Sequence, residues 1–314
     1  EIEHFKTQGY HPKDMAVLYR SNSQGGMIES VFRTYHIPYT VSGGTGFFDR
    51  KEVKDILAYL RSALAPNDVS LRRIINTPAR GIGDNTIEKI SDYAKHKKIS
   101  FNFACKAALR GEDLEINSEL DPSAKRATNG PTQGLLAKEF DGTHASADED
   151  DSNPQQELGG LSPKQGSFFQ TPEIELAAGS KEALRKFFDN LKQLPEVILK
   201  PIGSQTAGEA LVEWMRSIGY RDYVFSMVSE PSSGEKKWNL VEIVGRVLDS
   251  FVKRGGLNEK TLKDFLDAME LRDETEDEEN ADRVSLMTLH ACKGLEFPVS
   301  AVAQFTDLGS FKSS

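Results

Sequence analysis

The chain has 314 residues, 38% hydrophobic and 28% charged, which is enough apolar content to bury the cores of two domains. No apolar run reaches the ~20 residues that cross a bilayer, and the start, Glu1-Ile2-Glu3-His4, lacks the basic and apolar regions of a secretory signal. The net charge of −9 is concentrated: residues 111–172 hold 12 acidic against 4 basic groups, residues 270–282 hold 8 acidic groups and Arg272, and the remainder is net +6, which permits a polyanion partner.

Residues 14–19 read as a buried strand, followed by Ile28, Val31, Phe32 and Tyr35 at helical spacing. A second short strand, 37–41, ends at a glycine-rich break, Gly43-Gly44-Thr45-Gly46, and a helix follows with Val53, Ile56, Leu57, Leu60 and Leu64 on one face. Strand, helix, strand, helix suggests an α/β layer. From 55 to 281 the periodicity is helical, at 85–97, 181–194, 207–218, 238–253 and 261–270. Within it, 111–172 lacks Val, Trp, Tyr, Met and Cys, so it is expected to be a disordered insertion, a tolerated surface loop or a place for protein partners. Strand character returns at 284–289 and 299–303. The simplest organisation is an α/β domain split into 1–54 and 282–314, with an all-helical domain, 55–281, inserted and joined by the acidic linker 270–282.

Three stretches could carry chemistry. The first is the loop after the 284–289 strand, His290-x-x-Lys293-Gly294-x-Glu296. A lysine is a point charge for phosphate, a carboxylate can accept from ribose hydroxyls, and strand C-termini of α/β sheets are where such folds bind ligands. On composition alone a solvated turn stands equally open. The second is Arg80-Gly81-Ile82-Gly83 directly before a helix, with Asn85 and Glu88 at capping-box spacing. Glycines let a sugar-phosphate backbone approach closely, and a helix N-terminus favours anions. A plain turn with a helix cap remains the alternative. The third is Gly43-Gly44-Thr45-Gly46-Phe47-Phe48, in which the aromatic pair could stack bases but reads more readily as packing at the crossing between domains. No Gly-x-x-x-x-Gly-Lys-Ser/Thr occurs in the chain, and Cys105 and Cys292 make no metal-ligand spacing, so no metal site is expected and a reduced protein is the simpler reading.

In order and spacing, these stretches resemble the C-terminal half of UvrD/Rep-type superfamily 1 DNA helicases. Ala16 to Gln24 is similar to the early strand and loop of that family's second RecA-like domain. Ile37 to Asp55, with Gly43-Gly44-x-x-Phe47-Phe48-x-Arg50-x-Glu52, is similar to the crossing into its accessory domain 2B. Asn76-Thr77-Pro78-x-Arg80-Gly81-Ile82-Gly83 looks like its duplex-contact element, and Leu286 to Pro298 like its motif V.

The resemblance implies a partial RecA-like, P-loop NTPase-type parallel sheet split by a helical accessory domain. It implies a fragment of an ATP-dependent 3′–5′ helicase that couples hydrolysis to translocation and unwinding. Lys293, Gly294 and Glu296 would face ATP, Thr288 and His290 single-stranded DNA, and Arg80, Gly81, Ile82, Gly83 and Thr86 the duplex. Most of the ATP and Mg²⁺ contacts would belong to a first RecA-like domain upstream of Glu1, so this piece alone is expected to be inactive. The expected compartment is intracellular: cytoplasm or nucleoid in a bacterium, nucleus or an organelle in a eukaryote. The alternative is a non-catalytic DNA-docking or regulatory module. The insertion hints at a eukaryotic or divergent source.

Overall fold

Four parallel strands, β1 (Met15–Tyr19), β2 (Tyr39–Ser42), β3 (Val284–Thr288) and β4 (Val299–Val302), form a sheet in the order β2-β3-β1-β4. The computed structural model describes residues 2–110, 174–270, 282–305 and 311–312; the expected insertion at 111–172 and residues 271–281 of the acidic stretch lie outside them. The register aligns Val17 with Leu286 and Tyr39 with Val284, so the two ends of the chain build one sheet across the helical stretch between them. This is an α/β fold with a parallel sheet split by inserted helices, as the sequence leads one to expect.

The strands are short runs, and the two central ones, β1 and β3, are the most buried. Met15, Tyr19, Val284, Leu286 and Ala303 pack with Ile28 and Phe32 of helix α2 (Asn22–Thr34), and Ile2 and Phe5 of α1 (Ile2–Thr7) cover the same cluster. Gln24 caps α2 by accepting from the backbone N–H of Arg20 at 2.9 Å and of Ser21 at 3.3 Å. At the crossing, Phe47 and Phe48 are buried edge to face, with ring centroids 5.0 Å apart, which is the packing role expected of them.

The chain divides into two compact units, one of residues 1–87 with 176–314 and the other of residues 88–175. The first contains the sheet together with α3 (Lys51–Leu64), α4 (Asp68–Ile74), α7 (Ala178–Leu199), α8 (Ala207–Ser217), α9 (Tyr220–Ser226), α10 (Pro231–Gly255) and α11 (Glu259–Glu270). Helix α3 is buried along most of its length, with Val53, Ile56, Tyr59 and Leu60 against the surrounding helices. It also carries buried charges. Asp55 accepts from Arg73 Nε at 2.7 Å and from the Tyr220 hydroxyl at 2.8 Å, and Glu52 pairs with Lys237. Burial nevertheless raises the Asp55 carboxyl above its ordinary range.

Among the described residues four helices escape the periodicity reading: α4, α9, α1 and α6 (Phe101–Arg110). The first two have seven residues each, too few for a repeating apolar stripe. Helix α7 runs through Pro195 to Leu199 instead of ending at 194. The buried Leu194 and Ile198 hold its last turn in place despite the lost backbone bond. In the second unit, α5 (Asp84–Lys97), which begins in the first, and α6 bury Ile90, Tyr93, Phe101, Ala104 and Cys105.

Candidate functional site

Strand β3 ends at Thr288, and the loop that follows is tied down by its own backbone. Leu289 N–H donates to Tyr19 O at 2.9 Å, which extends the pairing to β1 by one step. The Thr288 carbonyl accepts from Ala291 N at 2.9 Å and Cys292 N at 3.2 Å, while Thr288 Oγ1 accepts from Ala291 N at 3.2 Å. Leu295 N then donates to Cys292 O at 3.0 Å, and Gly294 takes the left-handed conformation, φ +86°, that lets the chain turn again.

With the backbone engaged inward, His290, Lys293 and Glu296 are all exposed, and Thr288 is half-buried at their base. Among the described residues neither Lys293 nor Glu296 has an ion pair. An ammonium and a carboxylate left free on a fixed turn at the carboxyl edge of a parallel sheet suit a phosphate and a sugar hydroxyl, so the residues fit a nucleotide. The exposed leucines Leu289 and Leu295 flank them. Arg20, to which the sequence pattern assigns no role, lies at the same sheet edge. It is exposed directly after β1, whose last residue, Tyr19, is in register with Thr288. The signal that could have found it is its position, one residue past a parallel strand adjacent to β3.

The Gly-Ile-Gly turn is built the other way round. Arg80 and Ile82, both expected among the duplex-holding side chains, face the interior. The Arg80 guanidinium donates to the carbonyls of Ile74 at 2.9 Å and Pro78 at 3.1 Å, bonds the Tyr59 hydroxyl, and lies 5.2 Å from the Phe187 ring centroid. It neutralises carbonyls at the C-terminal end of α4, where a cation is favoured, so it shapes the turn instead of displaying charge. Ile82 is 0% exposed because an apolar side chain between two glycines has the core within reach.

What the turn displays outward is backbone. Gly81, at φ +80°, and Gly83 are exposed, and a methyl added at either would meet open space. The Gly83 carbonyl accepts from Thr86 N at 2.9 Å and Ile87 N at 3.2 Å, so Gly83 closes the first turn of α5; the helix starts before Asn85, and the expected Asn85–Glu88 capping box does not mark its beginning. Thr86 is half-buried, with Oγ1 3.3 Å from Ser180 Oγ.

A groove of about 760 Å³ is lined by Glu29, Arg33, Tyr39, Gly46, Arg73 and Arg283, among others, and by none of the predicted site residues. Among the described residues there is no group of three or more His, Cys, Asp or Glu side chains suited to a metal ion, and no helix long and apolar enough to cross a membrane.

A split parallel sheet with a charged loop at its carboxyl edge, interrupted by helices, is a RecA-like arrangement. The chain belongs to the UvrD-like helicase C-terminal domain family, whose model matches residues 1–308. It is 30% identical over 300 residues to the ATP-dependent DNA helicase PcrA of Staphylococcus epidermidis, and 28% identical over 300 residues to that of Staphylococcus aureus. Each alignment covers 95% of this chain and 32% of the relative, so the chain spans about a third of the length of the curated relatives it matches.

Proposed function

We propose that this chain is the second motor half and the duplex-gripping region of an ATP-dependent DNA helicase that moves 3′ to 5′. The observation that carries the reading is the His290–Glu296 loop: three exposed functional groups on a backbone-locked turn at the carboxyl edge of the sheet. In this reading Lys293 and Gly294 face the γ-phosphate and Glu296 the ribose, while Thr288, His290 and Arg20 face the single strand. Bound ATP, with Mg²⁺, supplies the free energy of phosphoryl transfer. This chain's own residues bind, orient and couple, because the phosphate loop and its metal-holding carboxylates belong to a first RecA-like domain. The exposed Leu289 and Leu295 are the surface that such a domain covers. Residues 1–54 and 282–314 form the motor part and 55–281 the accessory part, working inside the cell where DNA is.

The duplex lies against Gly81, Gly83 and the first turn of α5, with Thr86 beside them. Here bare backbone N–H groups and the helix dipole face the phosphates. That open face also favours a second reading, a non-catalytic DNA-docking module. Two measurements separate them. Alone, this chain should show no ATP turnover above background with single-stranded DNA, since transition-state charge needs the lysine, Mg²⁺ and arginine supplied elsewhere. Clear turnover would sink the division of labour. In the full gene product, DNA-stimulated turnover supports the helicase, and salt-sensitive duplex binding without turnover supports the module.

A further inference from the structure

Helix α2 carries a nearly buried carboxylate at the wall of the groove. Glu29 is 3% exposed, and burial raises its carboxyl above the ordinary range although hydrogen bonds pull the other way. Both of its oxygens accept from the backbone N–H of Phe47, at 2.9 and 3.1 Å, and the Tyr39 hydroxyl donates to it at 3.3 Å. Arg33 Nε in turn donates to the Tyr39 hydroxyl at 2.9 Å, and its guanidinium lies 4.3 Å from the Phe48 ring centroid. The Phe47 ring is seated against Gly26 of α2, where any Cβ would strike it at 2.7 Å. A buried carboxylate is a costly way to gain stability alone. Here it grips one specific N–H, the last of the Gly43–Phe47 loop.

The other end of that loop is equally constrained. Ser42 is in register with Met287 of β3, and Gly43 follows at φ +82°. A Cβ on Gly43 would stand 2.9 Å from the Cβ of Ala291, which lies between His290 and Lys293. The loop therefore touches the charged turn at one end and is clamped by Glu29 at the other. It then runs through Phe47 and Phe48 into α3.

We propose that the Gly43–Phe47 loop is a positioning element that sets where the His290–Glu296 loop stands, with Glu29 as its anchor and the Gly43–Ala291 contact as its point of action. Glu29 and Gly43 then act on bound ligand through another loop, without touching it, and the crossing into the helices is mechanically joined to the charged turn. The positioning rests on geometry alone. Its effect on ligand rests on the function proposed above.

The experiment is amide hydrogen exchange on this chain, comparing wild type with Glu29→Gln, Tyr39→Phe and Gly43→Ala, and with Asp55→Asn as a destabilised control outside the loop. Glu29→Gln should raise exchange in peptides covering 43–48 and also in those covering 289–296, by about threefold to tenfold. The control should leave 289–296 unchanged. Gly43→Ala should loosen 43–48 through backbone strain at φ +82° and 289–296 through the clash with Ala291, and adding Ala291→Gly should recover only the part of the 289–296 loss that comes from the clash. Loosening of 43–48 with 289–296 unchanged in Glu29→Gln and Gly43→Ala overturns the proposal. If Glu29→Gln fails to fold, Tyr39→Phe and the Gly43–Ala291 pair decide it. In a second arm, an oligothymidylate should bind Glu29→Gln about fivefold more weakly than wild type. Failure of wild type to bind it at all counts against the ligand reading, while the exchange arm still decides the positioning.

Discussion

The two turns that the sequence singles out are built on opposite plans. The His290–Glu296 loop spends its backbone on itself and displays side chains; the Gly81–Gly83 turn buries its side chains and displays backbone. In the first, a functional residue is one whose truncation leaves the fold intact. In the second, Arg80 and Ile82 support the turn, and the positions proposed to face DNA are those with no side chain. The same substitution therefore means different things in the two places.

The largest expected effect is at Ile82. Ile82→Ala empties a fully buried site and should cost about 3 kcal/mol in a denaturant melt, with duplex binding lost together with stability. Arg80→Ala should cost about 2 kcal/mol by leaving buried carbonyls unpaired. Arg80→Lys should not restore it, because a point charge cannot bridge two carbonyls and a hydroxyl. An Arg80→Ala variant with unchanged melting would place Arg80 with the displayed side chains of the other loop. Gly83→Ala sharpens the contrast. The added methyl meets only open space but alanine is a poorer helix N-cap than glycine, so the stability lost in a melt should be no more than about 1 kcal/mol, while duplex affinity falls roughly tenfold, about 1.4 kcal/mol.

Lys293→Ala should leave stability within about 0.5 kcal/mol and weaken binding of inorganic triphosphate in a competition assay. The smallest effect is a pH dependence. Burial raises the Glu29 carboxyl above 4.5, so between that value and its folded value the folded chain holds a proton that the unfolded chain has lost. Stability contributed by Glu29 is present below 4.5 and lost as pH rises through the raised value. The melting advantage of wild type over Glu29→Gln should therefore grow as pH falls from neutral towards 4.5. A gap that shrinks on acidification would show a carboxyl held low.

Much of the fold was legible because it rests on period. The four strands are short apolar runs bounded by polar or glycine residues, and the long helices carry continuous apolar stripes. The seven-residue helices α4 and α9 were not legible, since their burial comes from neighbours instead of from a repeat. At the site, the exposed loop after β3 was legible as a charged turn at a strand end. The inward turn of Arg80 was not, because a guanidinium beside glycines reads as surface charge until the carbonyls at the end of α4 are in place around it.

The sequence by itself determined the α/β class, the split of the sheet across the helical stretch, and the two loops with their residue types, since these follow from local pattern and spacing. Only the tertiary structure decided the strand order β2-β3-β1-β4, the direction in which Arg80 and Ile82 point, and the meeting of Gly43 with Ala291. Those depend on which surfaces far apart in the chain come together, and no local propensity encodes that.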